Sequence, residues 1–332
     1  MRIVILDGYT VNPGDNPWTA LEEIGDLTVY ERTDACDIVA RSLGADIVIT
    51  NKTPLRAETL DALPDLRMVG ILATGYDVVD VEHAGILGIP VVNVVNYGAD
   101  AVAQHCMALL LELCRRVALH DRLVREGRWE QCPDFCFWEG TQMELCGKTM
   151  GILGFGTIGR KVGALAHAFG MNILAASARK SGAELAKSAI DPGYPVTYVD
   201  CERLFASSDV ISLHTPLSDA TRGIVNEKSL ALMKDGAILL NVARGPLLDE
   251  EAVARALACG KLAGLGCDVV SKEPITSDNP LLHAPNTFIT PHIAWASLPA
   301  RQNILRILAD NIKSCLSGKP KSVVNAAFLK TR

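Results

Sequence analysis

The stretch "GILGFGTIGR", Gly151–Arg160, decides the fold class of this chain. Gly154, Gly156 and Gly159 follow a short apolar run, Met150–Leu153, and precede Val162, Leu165, Ala166 and Phe169, which share one face of a helix ending at Gly170. Glycines at this spacing arise by chance, but a strand before them and a helix after them make the match specific for a dinucleotide-binding turn. Gly154 permits the tight turn, Gly156 lets backbone approach a pyrophosphate, and Gly159 lets the helix press on the sheet. The helix start then offers free N–H groups and a positive dipole end to phosphate. A strand-to-helix turn without a ligand is the alternative reading.

Working outward, the later strands read "DVISLHTP", "GAILLNVARG", "LAGLGCDV" and "NTFITPHIA", each ending in polar residues, where open α/β sheets bind ligands. Gly264 and Gly266 lack a third glycine and read as close-packed strand. Upstream, "RIVILDG", "LTVYER", "ADIVITN", "LRMVGILAT" and "IPVVNV" alternate with helix-like segments such as "PWTALEEIG" and "RAETLDALP", which favours a second parallel sheet. Between the two series lies a helical region, 101–119, with Val102, Cys106, Leu109, Leu113 and Val117 three or four residues apart, expected to cross between lobes. An irregular, aromatic-rich stretch spans 127–147. The closing "RQNILRILADNIKSCLSGKPKSVVN" reads as an amphipathic helix plus a short extended piece that packs back on the first lobe. The expectation is an α/β chain with two Rossmann-like or flavodoxin-like domains: a discontinuous substrate domain, 1–100 with 297–332, and a dinucleotide-binding domain, 101–296, with the active site in the cleft between them.

Bulk properties agree with two domains, since 332 residues is about twice the roughly 150 expected per domain. A net charge of −6 with 49% hydrophobic residues leaves no basic face for nucleic acid or anionic lipid, so small molecules are the expected partners. The apolar start, "MRIVILDGYT", is too short for a signal peptide, and the 101–119 region carries Gln104, His105, Glu112, Arg115 and Arg116, unlike a membrane span of about 20 apolar residues. A cytoplasmic location is expected, with the ten cysteines reduced. Cys132 and Cys136 resemble half a metal site, but no second pair at zinc spacing follows, so no metal is expected.

Over nearly its whole length the chain resembles the D-isomer-specific 2-hydroxyacid dehydrogenases. The resemblance rests on "ILATGYDVVD", "GILGFGTIGR", "SLHTPLSDATRGIVNEKSLALMKDGAILLNVARG", "DVVSKEP" and "TPHIAW" in this order. "LDGYTVNPGD", "DFCFWEG" and "LSGKPKSVVN" look most like the glycerate dehydrogenases, also called hydroxypyruvate reductases. The resemblance implies a catalytic trio of Arg244, Glu273 and His292. Reducing a 2-keto acid requires a hydride at C2, a proton on the developing alkoxide, and a cation for the carboxylate and carbonyl. A His suits the proton, a Glu beside it favours the imidazolium and fixes the ring, and an Arg fork holds a carboxylate. Read singly, Arg244 could be a cap or surface cation, Glu273 a solvated loop acid and His292 a satisfied histidine. At strand ends after a dinucleotide turn they read together.

The resemblance further implies a backbone cradle for the substrate carboxylate at Ala73, Thr74 and Gly75, and a Trp138 that reaches a neighbouring subunit's site and limits substrate size. On that reading the chain is a homodimer; Trp138 as plain interface core is the alternative. Implied cofactor contacts are Thr74, Val102, Thr157, Ile158, His214, Thr215, Pro216, Val242, Ala243, Arg244, Asp268, His292 and Ala294, with Asp268 at the nicotinamide carboxamide. His214 is a competing base that the resemblance places beside the cofactor. Formate dehydrogenases place Gln beside the catalytic His, where this chain has Glu273.

One position departs from the NAD-binding pattern. An acid that bonds the ribose 2′-OH is expected after the second strand, and "LAASARK" puts Ser177 there, with Arg179 and Lys180 behind it. A hydroxyl and two cations suit a 2′-phosphate, so the stretch favours NADP(H), with NAD(H) as the alternative. Glu184 lies too far along to be the first substitute. The expected activity is reduction of hydroxypyruvate or glyoxylate with NAD(P)H; a nucleotide-sensing scaffold resembling corepressors of this fold is the alternative.

Overall fold

Five apolar runs of the first hundred residues become five parallel strands: β1 (Arg2–Ile5), β2 (Asp26–Val29), β3 (Ile47–Thr50), β4 (Met68–Ile71) and β5 (Val91–Val92), in the order β2-β1-β3-β4-β5. Alternate residues face opposite sides. Ile3, Ile5, Ile47 and Ile49 pack with Ile304, Leu305, Leu308 and Ile312 from the helix Leu298–Leu316, while Val4, Val48, Val69 and Ile71 pack with Leu60, Leu63 and Ala84 on the other face. A parallel sheet covered on both faces needs central strands apolar throughout, which is why β3 and β4 lack polar alternation; β2, at the sheet edge, reads Asp-Leu-Thr-Val and has no buried residue. Helix Leu298–Leu316 starts where its chemistry dictates: Ser297 accepts from the Ala300 N–H, and Pro299 stands in the first turn, where its missing N–H costs nothing. The short extended piece after it bridges antiparallel at Val323 to Val92.

The computed structural model describes residues 1–329 and divides into two compact units, Met1–Gly98 with the described residues from Trp295 onward, and Ala99–Ala294. The last three positions of the expected substrate domain, 330–332, lie outside the described residues.

The second unit holds β6 (Thr149–Leu153), β7 (Asn172–Ala176), β8 (Thr197–Tyr198), β9 (Val210–Leu213), β10 (Ala237–Asn241), β11 (Leu262–Cys267) and β12 (Thr287–Ile289). All pair in parallel, in the order β12-β11-β10-β9-β6-β7-β8. The order reverses direction between β6 and β9, the switch point at which such sheets bind ligands. β11 carries Gly264 and Gly266 because a helix lies against it. A Cβ at Gly264 would come within 2.5 Å of the Leu113 Cδ2, and one at Gly266 within 2.9 Å of the Leu109 Cβ.

That helix differs from the expected 101–119. It runs Ala99–Arg115, wholly within the second unit, and stops because Arg116 turns left-handed (φ 49°). A separate helix, Val117–Arg125, follows with no residue fully buried, so Val117 leaves the apolar stripe and is 64% exposed. The ring of His120 sits 2.8 Å from the Arg116 carbonyl, and the Arg116 guanidinium donates to the Asn286 side chain at 3.0 Å, contacts the periodicity does not carry. No helix among the described residues is long and apolar enough to cross a membrane.

Candidate active site in the second unit

The glycine turn follows β6. Gly154 has φ 98°, and a Cβ there would stand 2.5 Å from the His214 carbonyl carbon and 2.7 Å from the Thr215 nitrogen, both backbone atoms that cannot yield. Gly159 is equally constrained, because its Cβ would meet the Gly154 oxygen at 2.3 Å as helix Thr157–Ala168 presses on the turn. Gly156 is different. Its φ of −83° suits any residue, and an added Cβ would meet no protein atom within 4 Å, so nothing inside the fold demands glycine there. A requirement for close approach from outside, as by a pyrophosphate, accounts for it. Gly156 caps the helix with no side-chain bond, which leaves the first N–H groups, those of Thr157 and Ile158 included, for an anion. These residues fit a dinucleotide.

Beyond β7 the chain makes a tight basic turn. Ser177 bridges antiparallel to Lys180, and its hydroxyl accepts from the Arg179 N–H at 3.2 Å. The Lys180 ammonium donates to the Ser188 hydroxyl at 2.9 Å, which uses one of its three donors. Arg179 is exposed, and its guanidinium makes no bond among the described residues. Glu184 is committed elsewhere: it completes a capping box with Ser181, accepting from both the Ser181 N–H and hydroxyl at 2.8 Å, and these bonds lower its pKa.

At the end of β9, Thr215 is buried and Pro216 is exposed, its carbonyl taken by the Thr221 hydroxyl at 2.7 Å. His214 sits beside them with Nε2 2.7 Å from the Ser212 hydroxyl, and burial pushes its pKa down to about 4. Desolvation thus favours the neutral form of this ring.

Arg244 follows β10. The fully buried Asn241 shapes its approach: the amide oxygen accepts from the Ala243 N–H at 3.1 Å and the amide nitrogen donates to the Arg244 carbonyl at 2.9 Å, wrapping the Asn241–Arg244 backbone around one side chain. Val242 is buried and Ala243 partly so, while the exposed Arg244 guanidinium donates to the Ala243 carbonyl at 2.7 Å. Asn241 was not singled out by the motifs, although a polar residue closing an apolar strand was the available signal.

Glu273 and His292 meet after β11 and β12. The His292 Nδ1 lies 2.6 Å from a Glu273 carboxylate oxygen, with the two side chains 31% and 37% exposed. His292 has φ 56°, a left-handed conformation uncommon outside glycine. Asp268, 1% exposed, holds that turn. Its carboxylate accepts from the Thr290 hydroxyl at 2.6 Å, the Ile293 N–H at 2.9 Å and the Ala294 N–H at 2.8 Å, while its carbonyl accepts from the His292 N–H at 2.8 Å. The Asp268 N–H in turn donates to the Asn241 carbonyl at 3.0 Å. The Arg244 and His292 loops are therefore joined through backbone.

Of the remaining expected residues, Val102 is partly buried on helix Ala99–Arg115, and Trp138 stands 67% exposed in the irregular stretch. Ala73, Thr74 and Gly75 belong to the first unit, beyond the carboxyl end of β4. The Thr74 hydroxyl donates to the Val94 carbonyl and the Asn93 amide to the Thr74 carbonyl, at 2.8 and 2.7 Å. Among the described residues no acceptor takes the N–H groups of Thr74 and Gly75.

Comparison with known proteins defines the class. Residues 107–294 match the model of the D-isomer specific 2-hydroxyacid dehydrogenase, NAD binding domain. The chain is 48% identical over 328 residues to a hydroxypyruvate reductase of Blautia hydrogenotrophica, covering 98% of this chain and 100% of that one. It is 40% identical to a glycerate dehydrogenase of Methylorubrum extorquens, covering 87% and 88%. Among solved structures, an acyclic imino acid reductase in complex with NADPH and D-Arg superposes with a TM-score of 0.80 at 30% identity, covering 98% and 100%. The chain belongs to the D-isomer specific 2-hydroxyacid dehydrogenases. It is an oxidoreductase dependent on a nicotinamide cofactor and acting on a small 2-keto or 2-hydroxy acid.

Proposed function

We propose that the chain reduces hydroxypyruvate or glyoxylate, preferring NADPH, with His292 as proton donor. The observation that carries the reading is the 2.6 Å pairing of His292 Nδ1 with Glu273 in the sheet that also carries the glycine turn. Glu273 fixes the ring and leaves Nε2 to hold the proton; the proton passes from Nε2 to the carbonyl oxygen as C2 is reduced. Arg244 holds the carboxylate and polarises the carbonyl, and the N–H groups of Thr74 and Gly75, with Ala73, cradle the carboxylate. When bound, the nicotinamide supplies the hydride to C2. The helix start at Thr157 and Ile158 takes the pyrophosphate, and Val102, His214, Thr215, Pro216, Val242, Ala243 and Ala294 border the dinucleotide. Asp268, with three of roughly four acceptor sites filled, keeps one for the carboxamide.

The NADPH preference is supported by the uncommitted Arg179 guanidinium, the two remaining Lys180 donors and the engagement of Glu184 in its capping box. The substrate follows the names of the hydroxypyruvate reductase and glycerate dehydrogenase relatives, which favour a catalyst over a nucleotide-sensing scaffold. A homodimer is part of the proposal: Trp138 and Phe135, 67% and 89% exposed, project from the stretch whose aromatic is expected to reach a second subunit.

A kinetic matrix tests this: NADH and NADPH against hydroxypyruvate, glyoxylate, pyruvate and a branched keto acid. The expected result is NADPH-dependent turnover of the first two, lost by about 10²-fold or more in kcat in His292→Ala. A preference for NADH of about tenfold, near 1.4 kcal/mol, overturns the cofactor assignment. Cofactor binding without turnover of any 2-keto acid favours the scaffold.

A further inference from the structure

His105 has no part in the chemistry above, yet its ring points into the turn that carries His292. It projects from helix Ala99–Arg115 with its side chain 20% exposed, and its Nε2 lies 2.8 Å from the Thr290 hydroxyl and 3.5 Å from the nearer Asp268 oxygen. The Thr290 hydroxyl has one proton. At 2.6 Å from a carboxylate it donates that proton to Asp268, and toward His105 it can therefore act only as acceptor. The bonds then run in one direction: His105 Nε2–H to Thr290 Oγ1, Thr290 O–H to Asp268 Oδ1, and the same Oδ1 accepting from the Ile293 N–H while Oδ2 accepts from Ala294. Residues 293 and 294 directly follow His292, whose left-handed backbone needs its surroundings to hold it.

We infer that His105 is a positioning residue for His292, acting through Thr290 and Asp268 to fix the turn from which the imidazole projects. Resting on the proposed role of His292, the inference gives each element a task. Helix Ala99–Arg115, anchored on β11 through Leu109 and Leu113, supplies a rigid donor. That donor fixes the Thr290 rotor, so the Thr290 O–H stays directed at Asp268 Oδ1. Asp268, thus held, keeps both N–H groups after His292 in place. Without His105 the hydroxyl can turn away, and the turn loses one of three donors that define the Asp268 carboxylate. The imidazole then samples more orientations relative to Glu273, and a displacement of about 1 Å at a reacting group costs on the order of 10²-fold in rate.

The test is a pair of substitutions at each end of the bond. His105→Leu is expected to lower kcat by about 10- to 100-fold while the Kd for NADPH stays within about twofold. His105→Gln, whose amide nitrogen reaches the place of Nε2, is expected to recover kcat to within about threefold of wild type. Wild-type kcat in His105→Leu overturns the inference, as does equal loss in the Leu and Gln variants, which would reduce His105 to a space-filling group. Should His105→Leu not fold, Thr290→Val and Thr290→Ser carry the same comparison: recovery in Ser alone supports the relay, and equal behaviour overturns it. His292→Ala assayed in parallel separates the two levels. Normal turnover there removes the proposed role of His292, whereas an inactive His292→Ala beside a fully active His105→Leu removes only the role of His105.

Discussion

His292 and His214 show how two imidazoles a strand end apart in sequence pattern become different chemical objects. His292 pairs with Glu273 in a partly exposed setting, while His214 sits part-buried against Ser212, with its pKa pushed down to about 4 by desolvation. The burial of His214 has a measurable cost in acid. In the unfolded chain the group takes up a proton near pH 6.5, whereas in the folded chain it resists until about pH 4, so the unfolded state binds more protons across that window. Its contribution to stability is fully present above about pH 6.5 and is lost as pH falls toward 4, by roughly 3 kcal/mol in all. Urea unfolding between pH 4 and 7 is expected to show this slope in wild type and a shallower one in His214→Gln; identical slopes would contradict the assignment. Arg244, Glu273 and His292 of the candidate site came from three motif fragments through the family resemblance. Thr290 and His105 were not legible, because they meet across 185 residues of chain, which no local spacing encodes; Asn241, whose bonds to Ala243 and Arg244 are local, was signalled only by its polar side chain at the end of an apolar strand.

Among the elements, strand identity was the most readable feature. Every apolar run read as a strand in the first hundred residues forms one; the central strands β3 and β4 are buried on both faces, which leaves no ambiguity of side, while β2 forms at the edge without a buried residue. Helix limits were less readable. The spacing of Val102, Cys106, Leu109, Leu113 and Val117 continues past Arg116, but the left-handed turn there breaks the backbone without breaking the apolar period. The same helix supplies a packing prediction. Gly264→Ala sets a methyl 2.5 Å from Leu113 Cδ2, an overpacking expected to cost about 1–3 kcal/mol. Leu113→Ala alone is expected to cost about 2–5 kcal/mol. Combined, the two should be less damaging than their sum by about 1 kcal/mol or more, because the new methyl enters the space the leucine leaves. Strict additivity in chemical denaturation would show that helix and strand do not share this contact.

For the whole molecule, chain order made two parallel-sheet α/β domains legible, because a second series of alternating strands and helices starts at β6. Assembly was less legible. The stretch 127–147 has no regular secondary structure beyond its turns, and three of its large side chains face outward: Trp129, Phe135 and Trp138 are 52%, 89% and 67% exposed, while Leu145 is buried. The proposed dimer predicts sedimentation at about twice the 35.6 kDa chain mass, with Trp138→Ala lowering activity toward small keto acids or weakening the dimer. A monomer that is fully active would remove both the dimer and the expected reach of Trp138.

The turn wound around Asp268 has one more consequence. It ends at Ala294, the last residue of the second unit, so the imidazole is tethered to the body that carries the glycine turn, although the chain leaves that body one residue later. On the proposed reading, hydride source and proton source are mounted on one frame. On that reading, substitutions that loosen the first unit should change how well a keto acid is captured, visible in KM, while the primary deuterium isotope effect from labelled NADPH keeps its intrinsic value.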